Sequence, residues 1–449
     1  MCDTSGPNTG AVLRMNAIGK QDTYLLSDEP DKSFFKYDSK NHAHFTKFHK
    51  SLNVSKPSTA KPNWPFGETI KVTLNPRNMG DLLSNMYISL TLPSINNAND
   101  EYFADQVGRH IFKSITMRVD DLIVETFHDD WGVIYDEMYL DESEKRTKRY
   151  TLNRNLAEDT SLLAGNAVFG GLKSKLFIPI PFFFSRKYES DEYETNKPNR
   201  PYFPTCAIHK QKIEFEFVFR PKTFFTNAVG TVSLDGFDII TEEITIPNEE
   251  RVYIKSKEHT FITDVVKKHP SLEIKTGETD VKLELVPDIP VKNIFWFFRQ
   301  ADFEIENIFD GTGNTLLANV FANRYNFSSN VEYSVKNEFY NPPMEKAKIF
   351  INGEDMPNLQ DSDHKYYKYV VPFTSRLSRP YRNIYTYAFS MNPINVEPSG
   401  SLDFSQLQSN KTTLEVNMKS GLTRDYTLHA YYVGYQTFSF KEGFMSRAY

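Results

Sequence analysis

The sequence predicts an all-β protein built from two large sandwiches, and three observations carry that expectation. Phe (36) and Tyr (25) are abundant, and aromatic side chains favour the pleated, half-buried surface of a sheet. Long amphipathic helical patterns are scarce, whereas short stretches of period-two alternation recur along the chain. A length of 449 residues suits two all-β domains of ~200 residues each better than three small ones.

Composition narrows the function classes. The net charge is −6, whereas a nucleic-acid binder needs a basic stripe to neutralise phosphates, so no direct contact with nucleic acid is expected. Cys2 and Cys206 are the two cysteines. They cannot form a disulfide framework, and they fit a reducing compartment. No apolar run approaches the ~20 residues that span a bilayer, and the start lacks the basic-then-apolar pattern of a secretory signal. Any membrane contact is therefore expected to be peripheral.

The first twenty residues are small and polar and read as a flexible arm held only by a partner. His42, His44 and His49 could place imidazoles on one side of a strand, but with no Cys or carboxylate cluster nearby they read as exposed edge residues rather than a metal site. Clear alternation begins at Ile70, Val72 and Leu74 and returns at Ile88, Leu90 and Leu92. A strand is expected from Gly108 through Val119, then an acidic turn at Asp120-Asp121 and a helix around Trp131 and Ile134–Leu140. Turn and helix-start chemistry accounts for Asp120, Asp121, Asp129 and Asp130. The mixed charges of Asp141–Arg149 read as a solvated helix face. Leu176–Phe184 carries two prolines that remove ladder donors, which makes it an edge or entry strand rather than a central one. Ile213, Phe215, Phe217 and Phe219 form the clearest strand, and Val232–Ile239 is expected to finish the first sandwich.

Pro247 to about Lys268 is charged and helical or irregular, and reads as the boundary. Alternation then resumes at Leu272, Ile274, Val281, Leu283 and Leu285, followed by Ile289–Arg299. Asp310–Asn314 is Gly-rich but lacks the Lys-Ser/Thr of a phosphate loop, so it reads as a turn. Asn352-Gly353, after Met344–Phe350, is a strong hairpin signal. Ser185–Pro204 and Ala301–Asn341 are expected to be variable surface loops. Asn53, Asn326 and Asn410 each open an Asn-x-Ser/Thr triplet, and chance is the default reading without a secretory signal.

Between Asn392 and Leu407 the chain reads as strand, corner, strand. Pro393 and Pro398 fix their own φ. Pro398-Ser399-Gly400 reads as a tight turn, and Leu402 and Phe404 alternate with Ser401, Asp403 and Ser405 as a half-buried strand. No nucleophile, base or ligand cluster is built there. Ile384–Ser390 with Glu397-Pro398-Ser399-Gly400 and Asp403-Phe404-Ser405 resembles the C-terminal signature of the double jelly-roll major capsid proteins of large nucleocytoplasmic DNA viruses. The signature residues here are Asn392, Pro393, Pro398, Ser399, Gly400, Asp403, Phe404 and Ser405. The family usually carries Asn and Arg where this chain has Asp403 and Gln406. Gln21–Leu25 with Ser33–Lys36, Gly108–Asp121 with Trp131, Leu176–Phe184 and Ile289–Arg299 resemble further family stretches in the same order.

The resemblance implies two consecutive eight-stranded jelly rolls with short helices in loops and linker. It places the arm at 1–20, the first jelly roll at 21–246, the linker at 247–270 and the second jelly roll at 271–449. It also implies a major capsid protein that assembles as pseudo-hexameric homotrimeric capsomers in the virion outer capsid, made and assembled in the host cytoplasm. Its partners would be copies of itself, minor capsid and penton proteins, and the internal viral membrane at most indirectly. No catalytic residue, cofactor or metal is implied. Two other readings remain open at this point. One is a related scaffold forming a transient lattice on membranes. The other is a carbohydrate-active enzyme, which would need two carboxylates ~5–9.5 Å apart in a cleft.

Overall fold

Strand order repeats between the two halves of the chain. The computed structural model describes residues 13, 16–26, 43–95, 101–152 except 102 and 105, 174–188, 201–306, 324–330, 341–359, 362–395 and 397–448. In the first half these form β1 (Thr46–Ser55), β2 (Thr69–Leu74), β3 (Leu82–Leu92), β4 (Phe112–Val119), β5 (Leu122–His128), β6 (Ser174–Pro179), β7 (Ile213–Phe219) and β8 (Gly236–Thr245). One sheet runs β1-β8-β3-β6 and the other β2-β7-β4-β5. Numbered along the chain, that is 1-8-3-6 over 2-7-4-5, the wrapping of a jelly roll.

The second half repeats it. The first position is split into β9 (His259–Lys268) and β10 (Leu272–Ile274), followed by β11 (Asp280–Glu284), β12 (Pro290–Gln300), β13 (Met344–Ile351), β14 (Glu354–Asp355) and β15 (Ile384–Ala388). The short β16 (Leu402–Asp403), then β17 (Thr413–Met418), β18 (Tyr426–Lys441) and β19 (Phe444–Arg447) complete it. The sheets run β10-β18-β12-β15 and β11-β17-β13-β14, with β9 and β19 on β18 and β16 on β12. β9 and β10 pair with successive parts of β18, interrupted where Pro270 cannot donate to the ladder. The fold is therefore a double jelly roll.

Alternation was a sound guide where one face of a strand is wet. Phe215, Phe217 and Phe219 of β7 are buried, while Glu214 and Glu216 point outward to Lys71 at 3.5 and 3.1 Å. The prolines of Leu176–Phe184 do mark an edge, since β6 ends its sheet. Asn352 (φ 52°) and Gly353 (φ 92°) make the turn between β13 and β14, with both central residues left-handed as the tightest hairpins require.

Several expectations are corrected. Val107–His110 is a helical turn, so β4 starts at Phe112. Leu176–Phe184 is strand only to Pro179; Phe182, Phe183 and Phe184 then turn inward, fully buried. Val232 and Leu234 are buried but precede β8, which opens at Gly236. β1 is a ten-residue strand with little alternation to reveal it, because nearly all of it is exposed. The stretch 247–270 holds a helix, Asn248–Ser256, and then β9, so β structure resumes upstream of residue 271. Asp141–Arg149 belongs to the helix Glu142–Thr151, opened by a capping box between Asp141 and Glu144. Its Lys145 and Lys148 are buried, not solvated.

Most of residues 1–44 lies outside the described set, as do His42 and Asp310–Asn314. Met1–His44 makes a contact unit of its own. Within it, Asp22–Leu25 forms one helical turn, and the Asp22 carboxylate accepts the Gly19 N–H at 2.7 Å.

Candidate functional site

β12 and β18 are buried on both faces, and this marks where the two jelly rolls meet. On β12, Ile294, Trp296 and Phe298 point into the second core, while Phe295 and Phe297 join the first. On β18, Leu428, Ala430 and Tyr432 serve the second core, and Tyr431 and Val433 the first. Burying a large apolar side chain contributes roughly 1.5–3 kcal/mol, so this doubled seam is a strong adhesive. The first jelly roll meets it with the helix Asp129–Met138. Trp131 lies 5.7 Å from Phe295 and 6.1 Å from Tyr431, centroid to centroid.

Charges lock the same seam. Asp129 and Asp130 open the helix, where free N–H groups favour carboxylates. Asp129 receives Arg220 at 2.6 Å. Asp130 reaches into the second jelly roll and receives Arg299 at 2.6 Å. Arg299 also holds Glu304 at 2.7 Å, and Glu304 binds His429 at 2.7 Å. Burial alone would raise the Asp130 pKa, but Arg299 and Lys268 overcome it and hold the carboxyl well below its usual range. Burial likewise opposes ionisation of Glu304, yet Arg299 and His429 draw it down to about 2.

A second clamp lies beside it. The Glu125 carboxylate pairs with Arg186 and accepts the Val266 N–H at 3.2 Å and the Phe183 N–H at 2.9 Å. Arg186 also donates to the Asp264 carbonyl at 3.0 Å. Along the helix Asp129–Met138, Glu137 accepts the Tyr381 N–H at 3.0 Å, and Ser378 N–H donates to Met138 O at 2.7 Å. These carboxylates are engaged by cations and backbone donors, so they fasten the helix and β5 to the second jelly roll.

The signature segment is a loop between β15 and β16, which both pair with β12. Its turn sits at Pro393-Ile394, where Asn395 N–H donates to Asn392 O at 3.3 Å. Pro398-Ser399-Gly400 is not the tight turn that the sequence predicted: it runs on as irregular chain, with Gly400 at φ 123°, a region that disfavours side chains. Ser399 ties the loop shut: its Oγ accepts the Asn392 N–H at 3.0 Å and donates to Asn392 O at 2.9 Å. The strand also stops early. Asp403 ends β16 and its carboxylate accepts the Ser405 N–H at 2.9 Å, so Phe404 starts a 3₁₀ turn and buries against Phe389 and Tyr432. Lys292 anchors the loop from below. Its ammonium is buried between Asp264 (2.8 Å) and the Asn395 carbonyl (3.0 Å).

The remaining candidates are dispersed. His49 lies 3.4 Å from Glu242, and no cluster of three or more His, Cys, Asp or Glu suited to a metal occurs among the described residues. Asp120 caps a turn by accepting the Lys212 N–H at 2.9 Å. Asn326 is buried with its carboxamide bonded to Ser328 and Asn330, whereas Asn53 and Asn410 are exposed. The two long loops are not wholly superficial: Arg186, Phe203, Arg324, Tyr325 and Phe327 are buried, and the middles of both loops lie outside the described residues.

Two jelly rolls of one strand order, fused by a seam of aromatic rings and saturated ion pairs, define a structural protein of the double jelly-roll class. Consecutive family models match: the N-terminal domain of major capsid proteins over residues 33–255, and the large eukaryotic DNA virus major capsid protein over 250–441. The chain belongs to the major capsid protein family of large eukaryotic DNA viruses. It is 20% identical to the major capsid protein of Pyramimonas orientalis virus, over 98% of this chain and 99% of that one. Identity to the Paramecium bursaria Chlorella virus 1 major capsid protein is also 20%, over 92% and 88%. Among solved structures, the PBCV-1 virus capsid superposes with a TM-score of 0.66 at 15% identity, covering 93% of this chain and all of that one. The Faustovirus major capsid protein gives 0.61 at 11% identity, covering 96% and 94%.

Proposed function

We propose that this major capsid protein assembles as homotrimers with a near-hexagonal outline, and that these tile the outer shell of an icosahedral virion. The observation that supports this most is the repeat itself. Two sandwiches of identical strand order in one chain let three chains present six similar units round a ring, and rings of six similar units tile a surface. Contacts within a trimer would bury roughly 2,000–5,000 Å² and those between trimers less. Weak contacts let errors dissolve during assembly, and their number makes the finished shell durable.

The same reading makes the protein non-catalytic, with copies of itself, minor capsid proteins and penton proteins as partners, and assembly in the host cytoplasm. We further divide the chain into an arm, two jelly rolls and a linker centred on the helix Asn248–Ser256. The eight signature residues then have a structural role: they close the loop that Lys292 anchors. Native mass spectrometry of the purified protein tests the assembly. A trimer is expected; a monomer at micromolar concentration contradicts it. The shell assignment further requires the protein to dominate the mass of purified particles.

A further inference from the structure

Among the described residues, the seam inside the chain has an uncovered counterpart on each half. In the first jelly roll the fifth strand, β5, leads directly into the helix Asp129–Met138. That helix lies on the outer face of the second jelly roll's 1-8-3-6 sheet, where it meets Phe295 and Tyr431. The second jelly roll has a helix in the same place in its strand order, between β14 and β15: the π-helical turn Tyr366–Val370 running into Val371–Thr374. Tyr367 points inward, 5.2 Å from Trp296. On its other side Val370 is 47% exposed and Phe373 84% exposed, an apolar knob with nothing described upon it.

The receiving face also exists twice. In the first jelly roll the outer face of β1-β8-β3-β6 carries Ile240 and Tyr87, which are register partners, and Phe177 beside them on β6. Ile240 and Tyr87 are only half-buried, and Phe177 is 42% exposed. The corresponding positions of the second jelly roll are sealed by the helix of the first. Among the described residues nothing covers the knob of the second jelly roll or the face of the first, each the topological match of a contact already made inside the chain.

We propose that the Val370–Phe373 knob of one copy docks on the Tyr87–Phe177–Ile240 face of the next, repeating between chains the contact that joins the two jelly rolls within a chain. Such an interface is heterologous, knob to face, and closes into a ring only if the rotation allows. Three two-unit chains would then form a ring of six like contacts, three inside chains and three between them. The contact between chains lacks the Asp130–Arg299 lock, so it is the weaker of the two. This rests on the trimer reading and specifies which surfaces build it.

The test uses the full chain and two kinds of variant. Val370→Asp with Phe373→Asp alters only exposed positions, so folding should persist, as circular dichroism would verify. Separately, Phe373→Cys with Tyr87→Cys, in a chain whose Cys2 is changed to Ser, should yield covalent dimers and trimers on oxidation. Native mass spectrometry should show a wild-type trimer, and the double Asp variant should dissociate at concentrations at least tenfold higher. A wild-type trimer indifferent to the Asp substitutions, with no covalent species from the Cys pair, overturns this contact alone. A wild-type chain that remains monomeric overturns the trimer reading as well.

Discussion

Arg299 and Asp130, 169 positions apart in the chain, meet at 2.6 Å across the boundary between the two jelly rolls, with side chains 3% and 1% exposed. Neither charge is near bulk water, so each depends on the other and on the Glu304 and Lys268 that complete the set. A buried pair of this kind adds little over a well-packed apolar pair, but removing one partner strands the other.

Arg299→Ala should therefore destabilise the protein by about 3–5 kcal/mol, because Asp130 and Glu304 lose their shared cation. Chemical denaturation checks this. The seam predicts that the loss comes with exposure of Trp131, read as a red-shifted fluorescence component.

Acid should loosen the same seam. His128 precedes the helix and lies 6.3 Å from Tyr431, ring to ring. Burial, helped by Lys268, lowers its pKa from 6.5 to about 4. The folded state therefore keeps His128 neutral where the unfolded chain takes up a proton. Stability is full above about pH 6.5 and declines as pH falls towards 4, by on the order of 2–3 kcal/mol. Glu304, lowered from 4.5 to about 2, adds a further loss below pH 4.5. Denaturation midpoints between pH 7 and 4 should show the first step, and His128→Asn should remove it.

Gly434 sits on β18, where an added Cβ would collide with the Pro290 carbonyl oxygen and crowd Ile289. Backbone cannot yield as a flexible side chain does. Gly434→Ala should cost at least 1–3 kcal/mol, on the order of other overpacked sites, and thermal unfolding measures it.

Ser399→Ala deletes both side-chain bonds that close the signature loop, while the Asn392 carbonyl keeps the longer bond from the Asn395 N–H at 3.3 Å. A loss of about 1–2 kcal/mol is expected. Hydrogen exchange should quicken locally around Asn392 and leave β12 unchanged.

How much of this was legible follows from where water is. β7 could be read because Phe and Glu alternate between core and solvent. β1 could not, because it is wet on almost every side, and the two-faced burial of β12 could be recognised as apolar without revealing what covers each face. Asp129 and Asp130 were visible as a helix start, and they are one. That Arg220 and Arg299 would neutralise them was hidden, since pairing over such separations leaves no periodic trace. In the signature loop, alternation carried the strand on through Phe404 and Ser405, yet the Asp403 carboxylate captures the Ser405 N–H and ends it at Asp403. Local side-chain chemistry overrode the pattern.

The central claim is that two jelly rolls of one design exist in this chain so that copies can close a ring. Cryo-microscopy of the purified protein measures that most directly. The account predicts a threefold ring of six sandwich-shaped lobes with three times the 52.0 kDa mass of one chain. A population of separate two-lobed particles at micromolar concentration would contradict it.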